Sequence, residues 1–148
     1  MQPPRMLPPH YFVLSLAAMI LIALVDSTTV LPARWNLLGV IGLIKGVALA
    51  AWGSRLFSRA GTNIVPFTQS TALVTEGIFS RSRNPMYLGM ILALIGTALL
   101  LNAVWPWIVV VTFTVLLRVG FVKHEEVLME QTFGDEYLDY KGRVRRWV

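Results

Sequence analysis

The stretch MYLGMILALIGTALLLNAVWPWIVVVTFTVLLRVGFV, residues 86–122, carries one charge, Arg118, and a single short polar break at Asn102. A helix needs about 20 apolar residues to cross a bilayer, so the stretch is long enough for two crossings. Only Asn102 to Pro106 separate its two halves, and proline is well accepted at the first position of a helix. The reading is a tight antiparallel hairpin of two transmembrane helices, Met86–Val104 and Trp107–Val122. Working outward, Tyr11–Leu31 and Leu37–Leu56 are apolar runs of similar length, which makes four spans. The first run loses its purely apolar character at Asp26-Ser27-Thr28-Thr29, and no small-x-small site closes it, so a cleaved leader is not expected.

Composition agrees with this reading. The chain has 148 residues, 55% hydrophobic and 14% charged, against roughly 25% charged in an average soluble domain. Mean hydropathy is +0.63. The expected fold class is an all-α integral membrane protein, one domain over 1–148, with a connection at 57–85 and a helical C-terminal segment at 123–148. The net charge of +5 comes from basic residues beside apolar runs, which fits a membrane surface better than nucleic acid. With no cysteine, thiolate nucleophiles, disulfides, iron–sulfur clusters and Cys-zinc sites are excluded.

Lysine and arginine are unevenly shared between the two faces. Arg5, Arg55, Arg59, Arg81, Arg83, Lys123, Lys141, Arg143, Arg145 and Arg146 fall on one side, and Arg34 alone on the other. The basic side is expected to be cytoplasmic and to hold both termini, in a bacterial inner membrane. It also carries nearly all the polar chemistry. Small residues four apart, Gly42, Gly46 and Ala50 in the second span and Gly89, Ala93 and Thr97 in the third, are expected to let helices approach closely within the bundle, with a dimer interface as the alternative. Lys45, deep in the second span, needs a partner, and Asp26 in the outer half is the expected one. Arg118 precedes Glu125 by seven residues and shares its face if the helix is continuous.

Two clusters on the basic side are candidates for a site. In Arg81-Ser82-Arg83-Asn84-Pro85-Met86-Tyr87-Leu88-Gly89, Asn84 is a favoured N-cap and Pro85 a favoured first helical residue, so free N–H groups beside Arg81 and Arg83 make an anion site, with Tyr87 one turn inside. The second cluster is His124-Glu125-Glu126, followed by Phe133-Gly134, Tyr137 and Tyr140. Its adjacent carboxylates suit a cation, an amine or ribose hydroxyls. No metal site is expected, because neighbouring helix positions diverge by about 100° and the other histidine, His10, is at the far end of the chain. Tyr137, Tyr140 and Lys141 are spaced for a short amphipathic helix, with Arg143, Arg145, Arg146 and Trp147 expected as interfacial anchors. No Walker motif, dinucleotide glycine loop, G-x-S-x-G or H-E-x-x-H occurs.

In this order around these spans, the motifs resemble the isoprenylcysteine carboxyl methyltransferase-like membrane methyltransferases, relatives of the phospholipid N-methyltransferases. The resemblance rests on Arg59-Ala60-Gly61-Thr62 with Pro66, Leu73 to Phe79, Ser82 to Gly89, Glu125-Glu126 with Leu128, and Phe133-Gly134 with Tyr137, Tyr140 and Val144, roughly the C-terminal two thirds of the chain. It implies methyl transfer from S-adenosylmethionine to a lipophilic acceptor: a prenylcysteine-type carboxylate, a phospholipid amine or another hydrophobic molecule. It assigns Arg83, Asn84, Pro85, Tyr87, Gly89, Glu125, Glu126, Tyr137 and Tyr140 to the cofactor, and Arg118 and Glu126 are the residues expected to position the acceptor. Two positions depart from the family pattern. Asn84 stands where many relatives have His, and Phe121 where many have Arg, a role that Arg118 or Lys123 is expected to assume. The rival reading is a non-catalytic membrane subunit or transporter that works through Lys45 and Asp26.

Overall fold

The computed structural model describes residues 6–26, 28–32, 34–62 and 70–148, so Arg5, Ser27 and Pro66 lie outside the described residues. The described residues form helices only: α1 (Pro8–Val25), α2 (Leu38–Arg59), α3 (Pro85–Leu101), α4 (Pro106–Leu117), α5 (Lys123–Phe133) and α6 (Asp135–Arg143). A π-helical turn, Arg118–Val122, joins α4 to α5, and short 3-10 turns occupy Trp35–Leu37 and Gly77–Ser80. By length and composition α1, the Trp35–Arg59 helix and the long α4–α5 helix are able to cross a membrane, and α3 is a shorter apolar helix. α5 and α6 are the polar helices that follow this apolar bundle.

Local chemistry accounts for the helix ends. Pro85 and Pro106 open α3 and α4, where their missing N–H would have had no intrahelical partner. α1 stops at Val25 and not near residue 31, because the Asp26 carboxylate accepts hydrogen bonds from the Thr28 amide (2.9 Å) and hydroxyl (2.5 Å), which turns the chain. Between α3 and α4 the expected tight hairpin forms. Asn102 adopts a left-handed conformation (φ 51°) that asparagine tolerates, and its side chain bonds the Leu31 amide (2.8 Å) and carbonyl (3.1 Å). The segment after α1 is thereby tied to the turn.

Of the apolar helices, α3 is the most buried. α3 buries Tyr87, Ile91, Ala93, Leu94, Gly96 and Ala98 at the centre of the bundle. It packs on one side against α2, and α1 and α4 pack against it and each other. The α2–α3 contact is backbone to backbone: a Cβ added at Gly89 would lie 2.6 Å from both the Gly46 carbonyl and the Ala50 nitrogen, and Gly39, Gly42 and Gly96 sit in the same seam. The small residues therefore serve packing within the bundle. On the other side of α3, Met19, Leu94, Val110, Phe113, Leu117, Phe121 and Val122 make the core.

The expected Lys45–Asp26 pair is not made within the chain. Lys45 is exposed on α2 and forms no ion pair among the described residues, and Asp26 bonds Thr28 and Trp105 instead. The cause is topological, since α1 packs on α4 and α3 while α2 packs on α3.

Two faces result. One gathers the turn 102–105, the end of α1 and the start of α2, and is called the hairpin face below. The other gathers the end of α2, the N-terminus of α3, and α5 and α6; it is the site face.

Candidate functional site

The site face is assembled around the first turn of α3. Arg83, just before it, is turned inward with its side chain only 8% exposed, and its Nη1 lies 3.0 Å from Glu126 Oε1 and donates to the Tyr137 hydroxyl at 3.2 Å. One turn into α3 the Tyr87 hydroxyl donates to Glu125 Oε1 at 2.5 Å. Adjacent carboxylates on α5 thus reach two different partners, Glu125 toward the membrane span and Glu126 toward the loop, as their divergence of about 100° requires.

The C-terminal segment closes the arrangement. Arg146 grips Glu126 with two hydrogen bonds, Nε to Oε1 at 2.8 Å and Nη2 to Oε2 at 2.7 Å, the fork geometry that makes arginine–carboxylate pairs strong. Backbone carbonyls of the same segment meet the loop before α3. Arg145 accepts from the Arg83 amide (3.0 Å), and Arg146 accepts from the Asn84 side-chain amide (3.2 Å). The tail is also held by Trp147, which packs on the core. Sequence reasoning missed Arg146 as a member of this network, reading it and Trp147 as interfacial anchors. The available signal was a basic residue twelve beyond the Gly134 turn that folds α6 back along α5.

The two carboxyls titrate in opposite directions. Burial raises that of Glu125, the neighbouring Glu126 charge adds to this and the Tyr87 hydrogen bond only partly offsets it, so Glu125 is pushed up to about 7. Burial opposes ionisation of Glu126 too, but the Arg146 hydrogen bond and the Arg83 and Arg146 charges outweigh it and hold the group below its ordinary value.

The expected site residues divide into two groups. Arg83, Tyr87, Glu125, Glu126 and Tyr137 are brought together. Pro85 is buried as the first residue of α3, and Asn84 makes no side-chain cap; it holds the tail. Gly89 faces α2, away from the carboxylates, and Arg81 is exposed. Tyr140 donates to the buried Phe79 carbonyl at 2.7 Å and so ties α6 to the connection before α3, while Phe79 stacks on Phe57 of α2. Thr62 does similar work for the preceding connection, its hydroxyl oxygen accepting from the Thr71 amide at 3.0 Å.

Arg118 is left out. The spacing of seven expected it on the face of Glu125, but the π turn at 118–122 adds residues to one turn of the helix and breaks that phase. Arg118 and Lys123 are exposed and make no ion pair among the described residues, whereas Phe121 is buried in the core with its ring edge-on to Tyr11 at 5.9 Å. The cations beside the paired glutamates are Arg83 and Arg146.

The described residues thus form a helical bundle with buried arginine–glutamate and tyrosine–glutamate pairs beside the first turn of α3, and the comparisons with known proteins identify it as a membrane methyltransferase. Residues 35–136 match the phospholipid methyltransferase family, and the chain belongs to that family. It is 38% identical over 63 residues to an uncharacterized protein of Haemophilus influenzae, a match covering 43% of this chain and 100% of that protein. It is 35% identical over 91 residues to the protein-S-isoprenylcysteine O-methyltransferases of Mus musculus and Rattus norvegicus, covering 57% of this chain. The match spans 32% of the length of those two enzymes.

Proposed function

We propose that this membrane methyltransferase takes its methyl group from S-adenosylmethionine and delivers it to a lipophilic acceptor reaching the site face from the bilayer. The observation that carries the reading is the junction of Tyr87–Glu125 with Arg83–Glu126–Arg146 where α3 leaves the spans. The residues fit the cofactor's chemistry. Arg83 Nε is buried and has no hydrogen-bond partner among the described residues, a donor suited to a carboxylate. Glu125 suits an amine or ribose hydroxyl, and the rings of Tyr87 and Tyr137 suit a sulfonium through cation–π attraction. When bound, the cofactor would supply an activated methyl on that sulfonium. The chain's part is to orient it and exclude water, which explains a site with no nucleophile of its own. Glu126, gripped from both sides, positions Arg83.

The names of the relatives suggest two acceptor classes, a prenylcysteine-type carboxylate and a phospholipid amine. The basic residues of the site face support a cytoplasmic site face, with the protein in a bacterial inner membrane.

The test is calorimetric titration of S-adenosylmethionine into lipid-nanodisc protein. Wild type should bind saturably, and Tyr87→Phe and Glu125→Gln should each weaken binding by about 10- to 100-fold, the worth of one hydrogen bond to a charged group. No binding by folded wild type overturns the reading. Transfer of labelled methyl to prenylcysteine analogues or to phospholipid amines then separates the acceptors.

A further inference from the structure

Lys45 and Asp26 take no part in the site: Lys45 is exposed, and Asp26 is half-buried with no cationic partner among the described residues. Lys45 lies in a stripe along α2, Leu38, Ile41, Lys45, Ala48 and Trp52, all exposed and spaced three or four apart. An ammonium inside a membrane helix is costly without a partner, so this face calls for an anion from outside the chain.

A matching surface exists on the other side of the bundle. An open groove of about 530 Å³ is lined by Ile22, Val25, Asp26, Trp105, Ile108 and Val109, between the ends of α1 and α4. Its carboxylate is fixed in place, because Asp26 accepts from the Trp105 amide (3.3 Å) as well as from Thr28. The groove is otherwise apolar, like the stripe. α2 runs away from the hairpin face, so Lys45 lies about 10 Å below Leu38, and helical side chains lean toward the N-terminus, which carries the ammonium back toward the level of Asp26.

We infer that the α2 stripe of one molecule docks in the α1–α4 groove of a second copy, with Lys45 of one chain paired to Asp26 of the other. Both halves of the contact are on the same chain with opposite charge. Asp26 is the only acidic residue before Glu76, and every later one lies in or beside the site face, so a second copy has one carboxylate to offer at this level. The contact is heterologous, joining different faces of the two molecules. It does not depend on the cofactor or the acceptor.

The absence of cysteine makes the test direct. Differently tagged copies carrying Lys45→Cys or Asp26→Cys are co-expressed and treated in native membranes with a bifunctional thiol reagent about as long as the ion pair it replaces. A covalent dimer carrying both tags, absent when either variant is expressed alone, is the expected result. No mixed dimer, or linkage of Lys45→Cys copies to each other, overturns the inference. Charge exchange supplies the second measurement in intact protein. Lys45→Asp should weaken self-association by about tenfold or more, and Lys45→Asp with Asp26→Lys should restore it. Association unchanged by the single reversal, or unrestored by the double, overturns it as well.

Discussion

Replacing Arg146 by alanine isolates the contribution of the C-terminal segment to the site. The substitution removes both hydrogen bonds to Glu126, at 2.8 and 2.7 Å, and leaves Arg83 as the one cation on a carboxylate whose side chain is 9% exposed. Hydrogen bonds to charged groups contribute about 1.5–3 kcal/mol each. The Arg146 side chain is 29% exposed, so water replaces part of the loss, and the net cost should be about 2–3 kcal/mol. Most of it should appear as undocking of the tail, because the Arg83 amide is protected by the Arg145 carbonyl and the Asn84 side chain by the Arg146 carbonyl. Local opening easier by that amount speeds exchange of the Arg83 amide by about 30- to 150-fold. Hydrogen exchange read by mass spectrometry in nanodiscs measures this, with α2–α3 amides as the internal reference. Arg146→Lys, which keeps the charge but not the fork, should fall between the two. Unchanged protection of Arg83 in Arg146→Ala would refute the reasoning, since it would mean that Trp147 packing alone holds the tail.

Three further outcomes are expected. Between its ordinary 4.5 and about 7 the raised Glu125 carboxyl binds more protons folded than unfolded, so its contribution to stability is complete below 4.5 and lost as pH rises to about 7; Glu125→Gln should flatten that limb in denaturant titrations run across pH. Gly46→Leu drives a side chain into the backbone of Ala93 in the α2–α3 seam and should destabilise by about 3 kcal/mol or more, whereas Gly142→Ala, in open space on α6, should stabilise by about 0.5–1 kcal/mol in the same thermal assay. Tyr140→Phe strips the buried Phe79 carbonyl of its donor and should cost about 1–2 kcal/mol in stability, with a folded Tyr140→Phe still binding S-adenosylmethionine as wild type does, because this hydroxyl faces Phe79 and not the carboxylates.

The spans and the α3 entry were legible because they rest on local rules: hydropathy over a bilayer's length, and proline at a helix start. That Tyr87 and Glu125 belong to one site was legible only through the order of motifs, since 38 residues separate the two, and their hydrogen bond was not foreseen. Three features were not legible, each for a physical reason. The π turn at 118–122 breaks the phase that spacing arguments assume, which took Arg118 off the face of Glu125. Arg146 looked like one basic residue among several at a membrane surface, and only the return of α6 along α5 brings it to Glu126. The Lys45–Asp26 expectation rested on depth alone, which says nothing about azimuth, and α3 stands between their helices.

The π turn also explains how a short chain carries a buried ionic site beside an apolar core. Up to Leu117 the inward positions of α4 must be hydrophobic, and Phe113 and Leu117 are buried there. A continuous α-helix would put Arg118 and Glu125 on one face. The wider turn instead buries Phe121 and Val122 as the last apolar layer and then presents Glu125 and Glu126 to Tyr87 and Arg83. The charges begin where the buried apolar layer ends, and their cations arrive from the loop and the tail, not from α4. A cation at 121 would lie in the apolar layer beside Tyr11 and cost several kcal/mol, so with Phe121 in the core the chain has to bring its second arginine to Glu126 from the C-terminal segment.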